Sequence, residues 1–245
     1  MKKHLQAIVC TIAVCGTCGW AGPLLNTNWI VNGDAEAGAG SPDGSTVIVP
    51  DWNQLGVTPV FTAINYQSTT GGFPALSDPG PANRGTNFFG GGNNASAAGI
   101  QNLDVSSLAG QIDAGQIDFV MSAYLGGWQD QEDLAIFTAA FLDGGNNQIG
   151  NAFSLVSPNV AARGAVTELV FESQSGTIPT GTRSINFGLS MIREAGTSND
   201  GYADNLSFVA SSVGPAPSAP EPATFVMFAS GGLAIVLIAR KKRSR

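Results

Sequence analysis

The side chains that could do chemistry in residues 22–219 of this 245-residue chain are carboxylates, amides and aromatic rings. This region has no cysteine, histidine or lysine, and its four arginines stand against seventeen acids, a net charge of −13. These absences exclude Ser-His-Asp and Cys-His nucleophiles, a Schiff-base lysine and a zinc site of His or Cys ligands. The acidity argues against nucleic acid as a partner, since phosphates are bound by lysine and arginine. Calcium ligation and paired-acid glycoside cleavage remain available, because both use carboxylates.

The four arginines of this region are Arg84, Arg163, Arg183 and Arg193. In so acidic a region we expect each guanidinium to pair with a carboxylate or to donate to loop carbonyls. Binding of an anionic sugar is the alternative.

The segment 126–133 concentrates the groups that could bind a sugar. Trp128 could stack on a sugar ring, and the amides and carboxylates beside it could bind hydroxyl groups. The predicted ligand-binding residues are Trp128, Gln129 and Asp130, with Trp52 and Tyr66 as a second platform. The alternative is an acidic hairpin loop with Trp128 folded over the edge of the core. Asp130, Glu132 and Asp133 could also form a glycosidase pair, but adjacency in sequence does not place two acids across a cleft.

The elements that must position these groups are β-strands. Short β-rich runs alternate with clusters of Gly, Asn, Pro and Asp, and a 3.6-residue period is almost absent. Odd positions are apolar in 117–125 and in 185–192, as half-buried strands require. Residues 134–142 are apolar on both faces and predict a strand packed on two sides, and the Asp-Gly-Gly-Asn-Asn run at 143–147 predicts a hairpin. We therefore predict an all-β fold, a jelly-roll-like antiparallel β-sandwich.

The remaining pattern is less regular. Further strands are predicted at 29–31, 46–49, 60–66, 100–105, 166–172 and 202–209, a helical turn at 106–114 and an irregular excursion at 71–92.

The N-terminal 21 residues predict an export signal. Lys2 and Lys3 precede an apolar stretch at 5–14, and Gly19-Trp20-Ala21 offers small residues at the spacing that signal peptidase needs. We place cleavage after Ala21. Attachment of a lipid to one of the cysteines is the alternative, but neither Cys15 nor Cys18 follows a Gly or Ala.

The C-terminal end predicts a membrane anchor. A linker at 211–219 leads to Pro220-Glu221-Pro222, an uncharged run at 223–239 and a basic tail at 240–245. A helix over that run would be about 25 Å long, the short end of what crosses a bilayer. The basic tail should stay cytoplasmic and leave the preceding domain outside. The alternative is a buried core helix, which would be amphipathic.

These three parts in order resemble the PEP-CTERM sorting signal, with Pro220, Glu221 and Pro222 as its motif. The resemblance implies processing by exosortase at the inner membrane of bacteria that make exopolysaccharide. Signal peptidase, exosortase and exopolysaccharide are then the expected partners. The final location would be the cell surface or the extracellular matrix.

Two short motifs at the ends of the predicted domain, 32–36 and 204–207, resemble those that bracket galactose-binding-like jelly rolls. The resemblance implies that the first and last strands lie together and that their carboxylates hold a structural calcium ion. The residues that carry over are Asp34, Glu36 and Asp204. Clustered carboxylates repel one another unless a cation or hydrogen-bond donors neutralise them. The alternative is that Asp34 and Asp204 cap turns.

The predicted organisation is a signal peptide (1–21), an exported β-sandwich (22–210), a linker (211–219) and the sorting signal (220–245). We expect a non-enzymatic envelope or matrix protein that binds glycan or supports the matrix; the alternative is a carboxylate-dependent carbohydrate-active enzyme. A deep cleft with two facing acids would favour the enzyme. An exposed aromatic platform over a shallow surface would favour binding. If neither feature is present, a structural role remains.

Overall fold

The computed structural model describes residues 22–52, 61–68 and 70–214. Its strands are β1 (Thr62–Asn65), β2 (Asn87–Gly92), β3 (Ser96–Asp104), β4 (Ile117–Gly127), β5 (Leu134–Leu142), β6 (Phe153–Val156), β7 (Glu168–Thr177), β8 (Ser184–Ile192) and β9 (Asn199–Ser212). One sheet has the order β1-β2-β9-β4-β7 and the other β3-β8-β5-β6, and all neighbouring strands are antiparallel. The predicted all-β class and antiparallel sandwich are confirmed for the described residues.

The core lies between the two sheets and is rich in phenylalanine. Phe208 on β9 stacks on Phe119 of β4 with 4.7 Å between ring centroids, and it contacts Phe187 of β8 at 5.0 Å. The four predicted inward residues of β8 are fully buried; they are Ile185, Phe187, Leu189 and Met191. Burying each such side chain contributes about 1.5–3 kcal/mol, so this alternation fixes which face of each strand points inward.

The hairpin of β5 and β6 forms as predicted. Asp143 Oδ1 accepts hydrogen bonds from the backbone N–H groups of Gly145 and Asn147, and Asn146 takes a positive φ of 63°. The prediction that β5 packs on two sides needs correction. Its inward side chains are fully buried, but its outward ones, such as Ile136, are only half-buried.

Two helices and a 3₁₀ turn interrupt the strands. The predicted helical turn at 106–114 is confirmed as a 3₁₀ turn (Ser106–Leu108) followed by α1 (Ala109–Asp113). Helix α2 (Val160–Arg163) was not predicted from the sequence. No described helix is long and apolar enough to cross a membrane.

The first half of the chain differs most from the prediction. Residues 29–31 and 46–49 form no strand; the N-terminal segment makes one bridge to β9, between Asn28 and Val209. Strand β2 lies inside the predicted excursion. It was not predicted as a strand, because its three glycines hide the strand pattern. Phe88 and Phe89 point to opposite faces of the sheet, as period two requires.

The predicted signal peptide and the segment from 215 onward lie outside the described residues. Strand β9 runs to Ser212, two residues into the predicted linker.

A second aromatic cluster, here called the outer cluster, covers one end of the five-stranded sheet on the side away from the core. Its buried members are Ile64, Tyr66, Phe88, Leu169 and Tyr202, and Phe73, Tyr124 and Trp128 pack against it. Chain segment 66–86 supplies part of this cover. The rest of that side of the sheet carries the candidate site.

Candidate functional site

The register of β4 with its two neighbours builds a polar and aromatic surface, here called the outer face. Opposed residues of antiparallel strands point to the same side, and the odd residues of β4 point inward. The even residues of β4 and their partners on β7 and β9 therefore point outward together. These side chains are Val120, Ser122 and Tyr124 on β4, Phe171, Ser173 and Ser175 on β7, and Ser207 and Val209 on β9.

An aromatic pair lies at one end of the outer face. The rings of Tyr124 and Phe171 meet edge to face with 5.3 Å between centroids. Phe171 is 55% exposed, although it is a large apolar side chain. The hydroxyl groups of Ser122 and Ser173 follow directly along the two strands. An exposed ring beside hydroxyl groups offers both an apolar face and hydrogen-bonding partners to a ligand.

This pair was not predicted from the sequence, where the candidate residues lay mainly in loops. A signal was nevertheless present: if the odd residues of 117–125 face the core, then Tyr124 must face outward.

A polar depression of about 330 Å³ adjoins the outer face, and we call it the bulge depression. It lies where Asn205 and Leu206 of β9 together oppose one residue of β4, a β-bulge that turns Asn205 outward with a φ of 50°. Its lining residues are Asn28, Ile30, Asn32, Gly33, Asp34, Asn83, Asn205, Leu206 and Ser207.

The two bracketing motifs meet in this depression, as the sequence predicts. The Leu206 N–H donates to the carbonyl oxygen of Gly33 at 2.8 Å. A side chain at Gly33 would collide with the carbonyl oxygen of Leu206, so this close approach requires glycine.

Asp204, one of the three predicted calcium ligands, is fully buried beneath segment 66–86. Its Oδ2 accepts from the Tyr66 hydroxyl at 2.7 Å and its Oδ1 from the Asn205 N–H at 2.7 Å. Burial raises the pKa of Asp204 to about 8, outweighing these two donors, and the charges of Glu36 and Asp34 act in the same direction. Burial likewise raises the pKa of Tyr66.

The other two predicted ligands lie nearby with partners of their own. Glu36 Oε1 accepts from the backbone N–H groups of Thr86 and Asn87, at 2.8 and 2.7 Å. Asp34 is exposed and accepts from the Glu36 N–H at 3.3 Å. Within the described ranges no three metal-ligating side chains are gathered closely enough to hold an ion. Calcium binding by these carboxylates stays a prediction.

The loop after β4 presents its predicted site residues unevenly. Trp128 is half-buried against the outer cluster, whereas Gln129 and Asp130 are exposed. The loop is held by Arg163, whose side chain donates to the carbonyl oxygens of Gln129 and Gln131 at 3.1 and 2.7 Å. The backbone carbonyl groups of the loop therefore bind it to Arg163.

Trp52 and Tyr66 cannot form the predicted second platform, because both rings are buried. Trp52 is 0% exposed and donates its indole N–H to the carbonyl oxygen of Asn32. Tyr66 is 3% exposed and contacts Phe88 of the outer cluster. Both aromatic residues stabilise the fold, and this corrects their assignment as ligand-binding residues.

All four arginines are structural, as predicted. Arg84 donates to three carbonyl oxygens of its own segment, and Arg193 donates to two. Arg183 forms an ion pair with Asp113 at 2.7 Å. Each guanidinium in the described part of the chain therefore has at least one carbonyl or carboxylate partner.

No protein-family model and no curated protein matches this chain. Among solved structures it is similar to a family 16 carbohydrate-binding module, with 18% identity and a TM-score of 0.45 over 74% of this chain and 99% of that one. It is also similar to the enzymatically active domain of bacteriophage CBA120 tailspike protein 4, with 14% identity and a TM-score of 0.42, over 76% of this chain but 22% of that one. A third is a carbohydrate-binding module, CBM28, specific for non-crystalline cellulose (15% identity, TM-score 0.35, covering 70% and 98%). Likeness at this level does not establish a shared family or activity.

Proposed function

We propose that this protein is a non-enzymatic, glycan-binding β-sandwich whose outer face holds a polysaccharide chain. The observation that carries the proposal is the exposed Phe171 ring beside Tyr124, at the head of a row of serine hydroxyls. The apolar side of a sugar ring can pack on such rings, while its hydroxyl groups bind the neighbouring polar groups.

The shape of the surface suits an extended ligand. The row from Asp118 to Tyr124 on β4 is about 20 Å long at the usual strand rise. A second shallow depression of about 280 Å³ lies at its far end, between Asp118, Ser175 and Ser211. Shallow hollows at both ends of an aromatic and hydroxyl surface favour a chain of several sugar units over a small molecule.

The enzyme alternative finds little support in the acids of the loop after β4. Asp133 is 2% exposed, and its carboxylate accepts from the backbone N–H groups of Glu194, Ala195 and Asp200. Glu132 accepts from the first N–H of α2. A glycosidase needs two acids that face each other across a bond, whereas these two hold backbone segments in place.

We expect the Phe171→Ala and Tyr124→Ala variants to lose most of their retention in affinity gels containing neutral polysaccharides. An aromatic contact of this kind contributes about 0.5–1.5 kcal/mol, so each variant should bind roughly threefold to tenfold more weakly. The melting temperature of Phe171→Ala should change little, because more than half of that side chain is exposed. Tyr124→Ala should be modestly destabilised, because its ring packs against the outer cluster. Trp128→Ala should show weaker binding with modest destabilisation.

The matched control is Ile48→Ala, which removes a side chain that is 88% exposed beside β1, at the opposite edge of the sheet. It should migrate like the wild type. Unchanged retention of Phe171→Ala, or a wild type that binds no polysaccharide in a broad panel, would overturn the proposed function.

We further propose that the protein is exported and sorted by exosortase, on the strength of its two terminal segments. The described ends leave the sandwich at the same pole: Val213 bonds to Gln116, just before β4 begins, and Gly22 packs against Ser107. The loop of Trp128 lies at the other end of β4. An anchor at 223–239 would thus direct the Trp128 pole away from the membrane.

Replacing the basic residues of 240–245 with glutamine should impair membrane retention and processing in a host that has exosortase, because the positive cluster holds the tail inside. Fractionation and immunoblotting would measure this. Changing only the arginines of the tail to lysine keeps the charge and should sort normally. Normal processing of the neutral tail would contradict the sorting proposal.

A further inference from the structure

The bulge depression is lined by neutral amides, a serine and one charged side chain, the exposed carboxylate of Asp34. The side-chain amides of Asn28 and Asn32 already donate to the carbonyl oxygens of Leu206 and Pro50, at 3.1 and 2.9 Å. The amide of Asn205 donates to Asn83 Oδ1 at 3.2 Å. Each of these three amide groups therefore has one of its two N–H donors bound within the protein.

Among the described residues, three acceptor oxygens that line the depression are unused. Asp34 Oδ2, Asn205 Oδ1 and the Ser207 hydroxyl oxygen have no partner within the part of the chain that the structure describes. One of the three belongs to an exposed carboxylate. A neutral sugar hydroxyl both donates and accepts, whereas an ammonium group carries three N–H donors and no acceptor. The Asp34 carboxylate forms a charge-assisted hydrogen bond with an ammonium group, which is stronger than its bond with a neutral hydroxyl.

The net charge of the domain also favours a cationic ligand. The domain has no lysine or histidine, and its four guanidinium groups are bound to carbonyls or to Asp113. With a net charge of −13 over residues 22–219, the protein repels anionic polymers and attracts cationic ones.

We propose that the bulge depression binds a protonated amino-sugar unit, with its ammonium group against Asp34 and the oxygens of Asn205 and Ser207. This inference rests on the proposed function and names the ligand class: a polysaccharide that carries free amino groups. Ser207 pairs with Ser122, the next outward residue from Tyr124, so Ser207 and Tyr124 are diagonal neighbours about 7–8 Å apart. Neighbouring units of one chain reach both.

The test compares a β-1,4-linked glucosamine oligomer with its fully N-acetylated counterpart, using the full chain in detergent. Calorimetry would be run at about pH 5 with EDTA present, because the ring and hydroxyl oxygens of an amino sugar lower the pKa of its amine well below that of lysine. We expect the amino oligomer to bind about tenfold more tightly, as a charge-assisted hydrogen bond allows. Asp34→Asn should remove that advantage and leave binding of the acetylated oligomer unchanged. Glu194→Gln, which removes the same charge on the turn before β9, should keep it.

The other outcomes have defined meanings. Equal binding of both oligomers, lowered by Phe171→Ala but not by Asp34→Asn, would overturn this inference and leave the proposed function standing. Tighter amino-oligomer binding that survives Asp34→Asn and vanishes in salt would mean general charge attraction, and would overturn it too. So would binding that needs added calcium. Failure to bind any glycan, with Phe171→Ala without effect in the polysaccharide gels, would overturn the proposed function itself.

Discussion

The Arg163→Met variant is expected to lose about 3–5 kcal/mol of unfolding free energy, because four carbonyl groups lose their donor at once. Arg163 is 2% exposed, and its guanidinium donates to Pro158, Gln129, Val166 and Gln131 at distances of 2.7 to 3.3 Å. These bonds tie the loop after β4 to the segment around α2. Methionine fills a similar volume but offers no donor, so the carbonyls would be left buried and unpaired.

Urea unfolding would measure the loss, and amide hydrogen exchange over residues 128–133 would show whether the loop opens before the sheets do. Arg193→Met is the matched control, since that guanidinium donates to only two carbonyls at the surface and should cost less than about 1 kcal/mol. Equal stabilities for the two variants would contradict an anchoring role for Arg163. If Arg163→Met does not fold, Arg163→Lys, which keeps the charge and some donors, should show intermediate stability.

The strands with a clean period of two could be predicted from the sequence. In β8 every second residue is apolar and fully buried, so a simple alternation locates both the strand and its inward face. The hairpin of β5 and β6 follows from turn residues that favour positive φ, as Asn146 shows. Local chemistry decides both cases.

Strand β2 and the two rings of the expected second platform required tertiary information. Glycines obscure β2, which is a strand because it pairs with β9, a partner more than 100 residues away. Tryptophan and tyrosine are also the residue types of an exposed binding platform. Trp52 and Tyr66 are buried because they contact segments that are remote in sequence. A single sequence contains no record of those contacts.

The candidate site, too, could be predicted from the sequence only in part. The meeting of the 32–36 and 204–207 motifs was predicted, and the bond from Leu206 to Gly33 confirms it. Their electrostatics could not be predicted, because the ionisation of Asp204 depends on how segment 66–86 covers it.

Raising the pH from about 5 to about 9 should destabilise the wild type, with the Asp204 carboxyl contributing about 4 kcal/mol. Burial raises the pKa of Asp204 to about 8 from an ordinary value of 3.8. Between those values the folded chain holds a proton that the unfolded chain has lost. The stability that this provides is complete below about pH 4 and is lost as the pH rises through about 8. Above that, an ionised carboxylate is buried with the Tyr66 hydroxyl and the Asn205 N–H as donors.

The Asp204→Asn variant isolates this contribution, because an amide can accept from the Asn205 N–H and donate to the Tyr66 oxygen without titrating. It should match the wild type within about 1 kcal/mol at about pH 5 and exceed it at about pH 9. Burial also raises the pKa of Asp200, so the difference between the two proteins is the informative quantity. Exposed Asp130→Asn should leave the pH profile parallel to that of the wild type.

A bound calcium ion would reverse the direction of the pKa shift of Asp204. The same pH titration therefore tests the predicted metal site. A carboxylate must be ionised to ligate Ca²⁺, so an ion held by Glu36 and Asp204 would favour the charged form and lower the pKa of Asp204. In chelator the wild type should then lose stability towards alkaline pH. With calcium added it should regain that stability, because an ion that binds only the folded state raises the melting temperature. Identical curves of stability against pH in calcium and in chelator, with the loss of stability at alkaline pH removed by Asp204→Asn, would contradict the calcium site. They would support a protonated Asp204 bonded to Tyr66. A wild type that holds its stability to about pH 9 in chelator would instead show that the carboxyl ionises freely beneath segment 66–86.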